Sequence, residues 1–243
     1  MATASQSLRQ IVHNQPDAAV ILERFHLDLC AQADLPLDRA CADLQLSVEQ
    51  ILEKLADAEA AGSSPHTANP AAYSTSRLLQ HIVRVHHHRV RQDLPALAAM
   101  ARKVAAQVDT PEVLRIEALV THLRNDLLDH ITKEENVLFP FIAHMSEDSL
   151  AAAPVPHACF HSVARPIARL KQEHESAFHL FTGLRNLTHD FIPPSGACAT
   201  HTALFEGLRS FETDQREHFH LENDVLFPRA IALEAQWDER NHQ

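Results

Sequence analysis

Glycine is scarce in this sequence, with 4 copies in 243 residues, and both glycine-rich patterns that cradle phosphates, G-x-G-x-x-G and G-x-x-x-x-G-K, are absent. This absence excludes the commonest kinds of nucleotide site. Positive charge is also in deficit, because 21 Lys and Arg face 32 Asp and Glu, a formal net charge of −11. That deficit argues against nucleic acid or an anionic membrane as the main partner. Apolar runs approaching the ~18 residues of a membrane span are missing, and the N-terminus lacks an apolar signal core, so we expect a cytoplasmic protein.

Cysteine is sparse as well, and its spacing excludes the common uses of paired thiols. The four cysteines lie far apart in the chain and form no C-x-x-C motif; they are Cys30, Cys41, Cys159 and Cys198. In a reducing compartment this spacing predicts free thiols rather than a disulfide framework.

The pattern of apolar residues predicts an all-α fold. Strand signals are weak throughout, with neither alternating runs nor Asn-Gly hairpins. Apolar periodicity predicts four long helices, which together indicate a four-helix bundle; they cover residues 74–108, 111–145, 166–189 and 195–235. Three prolines fall inside these helices and are expected to kink or end them; they are Pro95, Pro140 and Pro228.

Composition divides the chain into three parts. Residues 1–58 have the signals of a small helical domain, including a capping-box pattern of the S-x-x-Q kind that starts at Ser47. Residues 59–73 are mostly small residues with Ser and Pro, which is typical of a linker. We therefore expect residues 74–243 to form the bundle as a second domain.

Histidine is the residue in excess, with 19 copies, and part of that excess lies in a repeat. Two segments 88 residues apart contain His-x3-Glu followed by Val-Leu-Phe-Pro at the same offset. Residues four apart share one face of a helix, so His130 and Glu134 can direct an imidazole and a carboxylate at one point. His218 and Glu222 can do the same from a facing helix. A single copy would be read as a solvated face, whereas the duplication favours a metal site in the bundle interior.

Acidic residues extend this pattern. One turn before each histidine lies a carboxylate, Asp126 in the first copy and Asp214 in the second. A charged stripe that faces a bundle core is costly unless it is paired or bound to metal. Asp126, Asp214 and Glu173 are therefore candidates to accept an imidazole N–H or to move protons beside the metal. The alternative, an acid that faces solvent, stays open for all three, and we assign no catalytic residue.

The other two helices are expected to supply one histidine each. His174 precedes His218 by 44 residues, and 44 or 43 residues before His130 lie His86 and His87, between which spacing alone does not choose. Four histidines and two glutamates fit two metal ions that share the carboxylates. Imidazole and carboxylate ligands inside a bundle suit iron, with manganese next, whereas a structural zinc would need a closed tetrahedron of four ligands.

These motifs resemble a known family. Residues 74–235 resemble the hemerythrin-like domain of the RIC (repair of iron centres) family, of the YtfE, ScdA and NorA type. The resemblance covers four stretches: His81 to Leu97, His130 to Pro140, Glu173 to Glu175, and His218 to Arg229. It implies two non-haem iron ions bridged by an oxo or hydroxo group and by two glutamates. The ligands that it implies are His87 in place of His86, His130, Glu134, His174, His218 and Glu222.

The resemblance also implies a function in nitrosative and oxidative stress. The main expectation is the repair of damaged iron-sulfur clusters by donation of iron, with damaged iron-sulfur proteins as clients. The alternative, of the NorA type, is a cytoplasmic protein that binds, scavenges or reduces nitric oxide; only reduction to nitrous oxide would make it an enzyme. An oxygen carrier or sensor is disfavoured by four rather than five histidines. Nitric oxide or oxygen is the expected small ligand, and a homodimer is one assembly we consider.

The N-terminal part resembles the family's N-terminal domain around Phe25–Cys30. The family has two adjacent cysteines followed by two glycines at this place, whereas Cys30 is followed here by Ala31, Gln32 and Ala33. This departure argues against a role that needs vicinal thiols.

Overall fold

The structure is a computed structural model that describes residues 2–15, 18, 21–22, 25, 27, 29, 32–63, 70–146 and 162–241. These residues are mostly helical and contain no β-strand, only an isolated antiparallel bridge between Ser7 and Pro36. The all-α prediction is therefore confirmed. In the same ranges no helix combines the length and the apolar character needed to cross a membrane. Cys41 and Cys198 are free thiols, whereas Cys30 and Cys159 lie outside the described residues.

Three helices are described before residue 70: α1 (Leu8–Asn14), α2 (Leu37–Asp43) and α3 (Val48–Ser63). The predicted cap of α3 is present, because the Gln50 backbone N–H donates to the Ser47 hydroxyl oxygen at 3.3 Å. The helix α3 continues through residues 59–63, which the sequence assigned to a linker, because this alanine-rich stretch favours helix. Residues 64–69 lie outside the described residues, and the division at 58 and 73 stays a prediction.

The four predicted long helices are present, and three of them contain a π turn. The first comprises α4 (Thr75–Ile82), a π turn (Val83–His87) and α5 (His88–Gln107), and the second comprises α6 (Pro111–Lys133), a π turn (Glu134–Leu138) and α7 (Phe139–Met145). The third is α8 (Ala164–Thr188), and the fourth comprises α9 (Ala199–His220), a π turn (Leu221–Leu226) and α10 (Phe227–Asn241). The fourth begins and ends several residues later than the predicted 195–235.

The prolines of the repeat do not end their helices, contrary to one of the two outcomes expected for them. Pro140 and Pro228 each come two residues after the end of a π turn, and the N–H of the intervening Phe139 or Phe227 donates to a carbonyl five residues earlier. A proline ring clashes with the carbonyl four residues before it and cannot donate a hydrogen bond. A wider turn relieves that crowding locally. The Phe-Pro pair therefore follows a π turn in both copies.

The chain divides into two compact units, each built from three segments. The first contains residues 1–66, 92–121 and 182–212, and the second contains residues 67–91, 122–181 and 213–243. All predicted metal ligands belong to the second unit. Its apolar core includes side chains from each of the four long helices, among them Leu78, Ile82, Leu138, Phe139, Leu170 and Phe227. This core supports the residues described next.

Candidate metal centre

Six predicted ligands converge in the interior of the second unit and are at most 1% exposed; they are His87, His130, Glu134, His174, His218 and Glu222. We call them the six-residue cluster. They form two groups of four, and in each group one ligand atom per residue lies within 4.8 Å of the others. Glu134 and Glu222 belong to both groups. One group adds His87 and His218, and the other adds His130 and His174.

Each glutamate divides its two oxygens between the two histidine pairs. Glu134 Oε1 lies 3.4 Å from His130 Nε2, and Glu134 Oε2 lies 3.3 Å from His87 Nε2. Glu222 Oε1 lies 3.0 Å from His218 Nε2, and Glu222 Oε2 lies 3.2 Å from His174 Nε2. This is the arrangement that two carboxylates adopt when they bridge two cations.

The imidazoles point their Nε2 atoms at one another. The Nε2 atoms of His87 and His218 are 3.1 Å apart, and those of His130 and His174 are 2.9 Å apart. Each Nδ1 atom donates to an oxygen: His87 to Glu135 (2.7 Å), His130 to Glu173 (3.0 Å), His174 to Asn223 (3.0 Å) and His218 to Gln215 (3.2 Å). An acceptor at Nδ1 keeps the proton there and leaves a lone pair on Nε2, the form that binds metal.

The six-residue cluster contains buried carboxylates whose negative charge bound cations would neutralise. Within the described part of the chain, neither oxygen of Glu134 has a hydrogen-bond donor in bonding geometry, and the same holds for Glu222 Oε2. Three buried carboxylate oxygens without donors are costly. Burial lowers the pKa of His87 and of His130, but the glutamates raise them more, to about 9 and about 10 respectively. Both glutamates face imidazole nitrogens and, among the described residues, have no Lys or Arg against them, so the donor set fits metal cations.

Two further carboxylates support the histidines from outside the cluster. Glu173, predicted for this role, accepts from His130 and also from Lys133 Nζ at 3.0 Å. The hydrogen bond from His130 is the main reason that the pKa of Glu173 falls to about 2. Glu135 accepts from His87 and from both terminal nitrogens of Arg91, at 2.9 and 2.7 Å. Sequence reasoning missed Glu135, because its partners His87 and Arg91 lie on another helix and spacing along one helix does not reveal such pairs.

The two predicted aspartates have different surroundings. Asp214 is buried and reaches the cluster indirectly, through Gln215, whose side-chain nitrogen donates to it at 3.0 Å. Asp126 is half-exposed and pairs with the exposed His122 at 3.1 Å, so the structure does not bring it to the cluster. The spacing to the histidine is the same in both copies, so the difference comes from tertiary packing: Asp214 meets the buried His86, whereas Asp126 meets the exposed His122.

The first helix places three more histidines near His87, with different exposures. His86 is buried, but its Nδ1 atom bonds to Asp214 at 3.1 Å and it is not one of the six. His81 is half-buried and meets the His86 ring edge-on, with ring centres 5.6 Å apart. His88 is exposed. His87 is the last residue of the π turn Val83–His87, and it enters the cluster whereas His86 does not. The structure thus distinguishes the two histidines, which spacing alone could not do.

A helical unit that surrounds a buried set of four histidines and two glutamates defines a hemerythrin-like cation-binding protein. The sequence agrees, because residues 78–230 match the family model of the hemerythrin HHE cation binding domain. Among curated proteins the chain is similar to the iron-sulfur cluster repair protein YtfE of Pectobacterium carotovorum subsp. carotovorum (strain PC1). The two are 34% identical over 238 residues, covering 95% of this chain and 99% of that protein.

Two further relatives bear the same name. The protein of Escherichia coli O17:K52:H18 is 32% identical over 237 residues, and that of Enterobacter sp. (strain 638) is 30% identical over 237 residues. In both comparisons 96% of this chain covers 100% of the relative. The chain therefore belongs to the hemerythrin HHE family and, within it, to the YtfE group of the repair-of-iron-centres proteins, which confirms the resemblance of its motifs.

Proposed function

We propose that this protein repairs damaged iron-sulfur clusters, with two iron ions in the six-residue cluster as the source of iron. The observation that carries the proposal is the division of oxygens, because Glu134 and Glu222 each turn one oxygen to each histidine pair. A single ion would use only half of these donors. The near full-length similarity to proteins named for iron-sulfur cluster repair supports the class of client.

The coordination supports release as well as binding. Each ion would receive two imidazole nitrogens and two shared carboxylate oxygens, which are four protein donors. A six-coordinate ion then keeps two positions, one for a bridging group and one for a small molecule or a receiving ligand. When bound, iron would supply both the transferable metal and the redox chemistry of the centre. An ion with so few protein ligands is easier to pass on than one in a closed cage.

Residues of this chain control access to the centre. The side chains of Glu173 and Glu135 are 19% and 22% exposed, so they lie between the buried imidazoles and solvent. Their salt bridges to Lys133 and Arg91 hold them over His130 and His87. In this position they keep each imidazole in the metal-binding form and limit the entry of water.

The test is transfer of iron to a damaged enzyme. Protein loaded anaerobically with ferrous iron is incubated with a 4Fe–4S enzyme inactivated by nitric oxide, in the presence of a chelator that captures free iron. We expect reactivation by the loaded protein and none by the Glu134→Gln, Glu222→Gln double variant treated identically. If free ferrous iron without chelator restores the enzyme and the loaded protein never does, the proposal is wrong.

Nitric oxide is the small ligand that we propose for the remaining position. The full-length relatives are named for repair, which favours repair over the scavenger alternative. Anaerobic addition of nitric oxide to the diferrous protein should produce a nitrosyl spectrum that saturates at one or two molecules per chain. The absence of any nitrosyl signal would remove nitric oxide from the account and leave iron donation standing.

We also infer a cytoplasmic location, and the homodimer stays a prediction. The acidic net charge of −11 favours a protein that stays free of nucleic acid and of anionic membranes. Cell fractionation checks the location, and light scattering on the loaded protein checks the assembly.

A further inference from the structure

Among the described residues, a hydrogen-bonded row of buried side chains leads to His218, a member of the His87–His218 pair. His86 Nδ1 donates to Asp214 Oδ1 at 3.1 Å, and Gln215 Nε2 donates to Asp214 Oδ2 at 3.0 Å. At the end of the row, His218 Nδ1 donates to Gln215 Oε1 at 3.2 Å. His86, Asp214 and Gln215 are 1%, 8% and 0% exposed. The ligand set uses none of these three residues, which we call the Asp214 row.

The Asp214 row fixes the direction of every hydrogen bond in it. A carboxylate only accepts, so Asp214 requires a proton on His86 Nδ1 and requires the amide nitrogen of Gln215 to face it. The amide oxygen of Gln215 must then face His218. Because that oxygen only accepts, the His218 proton stays on Nδ1 and the Nε2 lone pair points into the six-residue cluster.

Without Asp214, this direction would be lost. The oxygen and nitrogen of an amide have nearly the same shape, so a free Gln215 could turn over and present an N–H to His218. His218 would then keep its proton on Nε2, where it opposes metal binding. His86 also stacks in parallel on His218, with ring centres 5.3 Å apart and planes at 1°, and this contact holds the plane of the His218 ring.

The four ligand histidines differ in what holds their acceptors. His87 and His130 face carboxylates, which can only accept. His174 and His218 face amides, Asn223 and Gln215. Of these two amides, Gln215 is fully buried and locked by Asp214, whereas Asn223 is half-buried.

We propose that His86, Asp214 and Gln215 are positioning residues that lock His218 in its metal-binding form and thereby tighten the ion held by His87 and His218. The inference rests on the proposed two-ion centre. It assigns unequal support to the two ion positions, because the lock acts at one of them only. Loss of the lock should weaken that ion and leave the ion at His130 and His174 in place.

The experiment is a cobalt titration of the full chain, with cobalt(II) as a spectroscopic substitute for iron. In Gln215→Leu we expect the dissociation constant of one of two ions to rise about tenfold, since partners that orient a ligand are worth 10- to 100-fold in affinity. In Asp214→Asn we expect a several-fold rise at the same ion. Asn223→Leu is the matched control and should weaken the other ion.

A second readout identifies the lock itself. In the cobalt protein, the four Nδ1 protons of the ligand histidines should give shifted, slowly exchanging NMR signals. Gln215→Leu should remove the His218 signal alone, and Asn223→Leu the His174 signal alone, which a general loosening of the fold would not do. His86→Phe keeps a stacked ring but removes one of the donors to Asp214, and it is the variant to use if Gln215→Leu fails to fold. We expect it to speed the exchange of the His218 proton.

The outcomes separate this inference from the proposed function. If the wild-type chain binds fewer than two cobalt ions, the proposed centre fails. If it binds two, and Gln215→Leu and His86→Phe keep both affinities and all four signals, the lock is overturned. Slower loss of metal from His86→Phe to a chelator would also overturn it, because His86 would then be a ligand on an exit path rather than a support.

Discussion

Two equally buried glutamates have opposite surroundings in this molecule. Glu212 lies in the first unit and is bound by the guanidinium of Arg185, whose Nε atom is 3.0 and 2.8 Å from its two oxygens. Glu134 lies in the second unit, and among the described residues neither of its oxygens has a hydrogen-bond donor in bonding geometry. Burial of a carboxylate is therefore not what marks a metal site. The mark is a buried carboxylate that faces imidazole nitrogens and, among the described residues, has no Arg or Lys partner.

Removal of metal should have the largest effect of all the changes considered, and that effect is on the free energy of unfolding. Each bound ion stabilises the folded state by about 4 kcal/mol when its free concentration is a thousand times the dissociation constant. We expect chelation of both ions to lower the free energy of unfolding by several kcal/mol, measured by urea denaturation of loaded and stripped protein. Identical unfolding curves with and without chelator would contradict the role given to Glu134 and Glu222.

Replacement of one shared glutamate should disturb both ions together. A neutral amide in Glu222→Gln cannot bridge two cations, so we expect both affinities to fall by more than about 100-fold, seen by metal titration. Loss of a single ion, with the other bound normally, would show that the carboxylate is not shared.

The same change in the first unit should act on stability alone. Glu212→Gln leaves Arg185 without its buried partner, and we expect a loss of about 2 kcal/mol in the free energy of unfolding. The loss is smaller than for a fully buried pair, since Arg185 is partly exposed and also binds Asp190 at 2.8 Å. Metal content should stay at two ions per chain. A fall in metal content would contradict the claim that Glu212, unlike Glu134, acts on stability alone.

The smallest expected effect distinguishes two acidic residues outside the cluster, Glu173 and Asp126. Glu173→Gln retains an acceptor for His130 but removes its charge, so we expect that ion to bind about tenfold more weakly. Asp126→Asn is the matched control, and it should change affinity less than about twofold, because Asp126 pairs with exposed His122. Equal effects of the two changes in a competition assay would place Asp126 in the centre after all.

Much of this arrangement could be predicted from the sequence, because helical periodicity fixes which residues share a face. His130 with Glu134 and His218 with Glu222 are four residues apart, and that spacing brought each pair together. The tie between His86 and His87 could not be resolved by spacing, since a π turn inserted between Val83 and His87 changes the face that each residue occupies.

The hydrogen bonds around the cluster were harder to predict. Asp126 and Asp214 have the same spacing to a ligand, but only Asp214 meets a buried partner, His86, from another helix. Such pairings depend on tertiary packing, which periodicity does not contain. Gln215 has no distinctive signal at all, because a glutamine at the edge of an apolar stripe is ordinary in sequence.

The most direct test of the two-ion centre is anomalous X-ray scattering from crystals of iron-loaded protein. We expect two peaks about 3.5 Å apart, one bounded by His87 and His218 and the other by His130 and His174. Glu134 and Glu222 should contact both peaks. A single peak, or iron bound away from these six side chains, would contradict it.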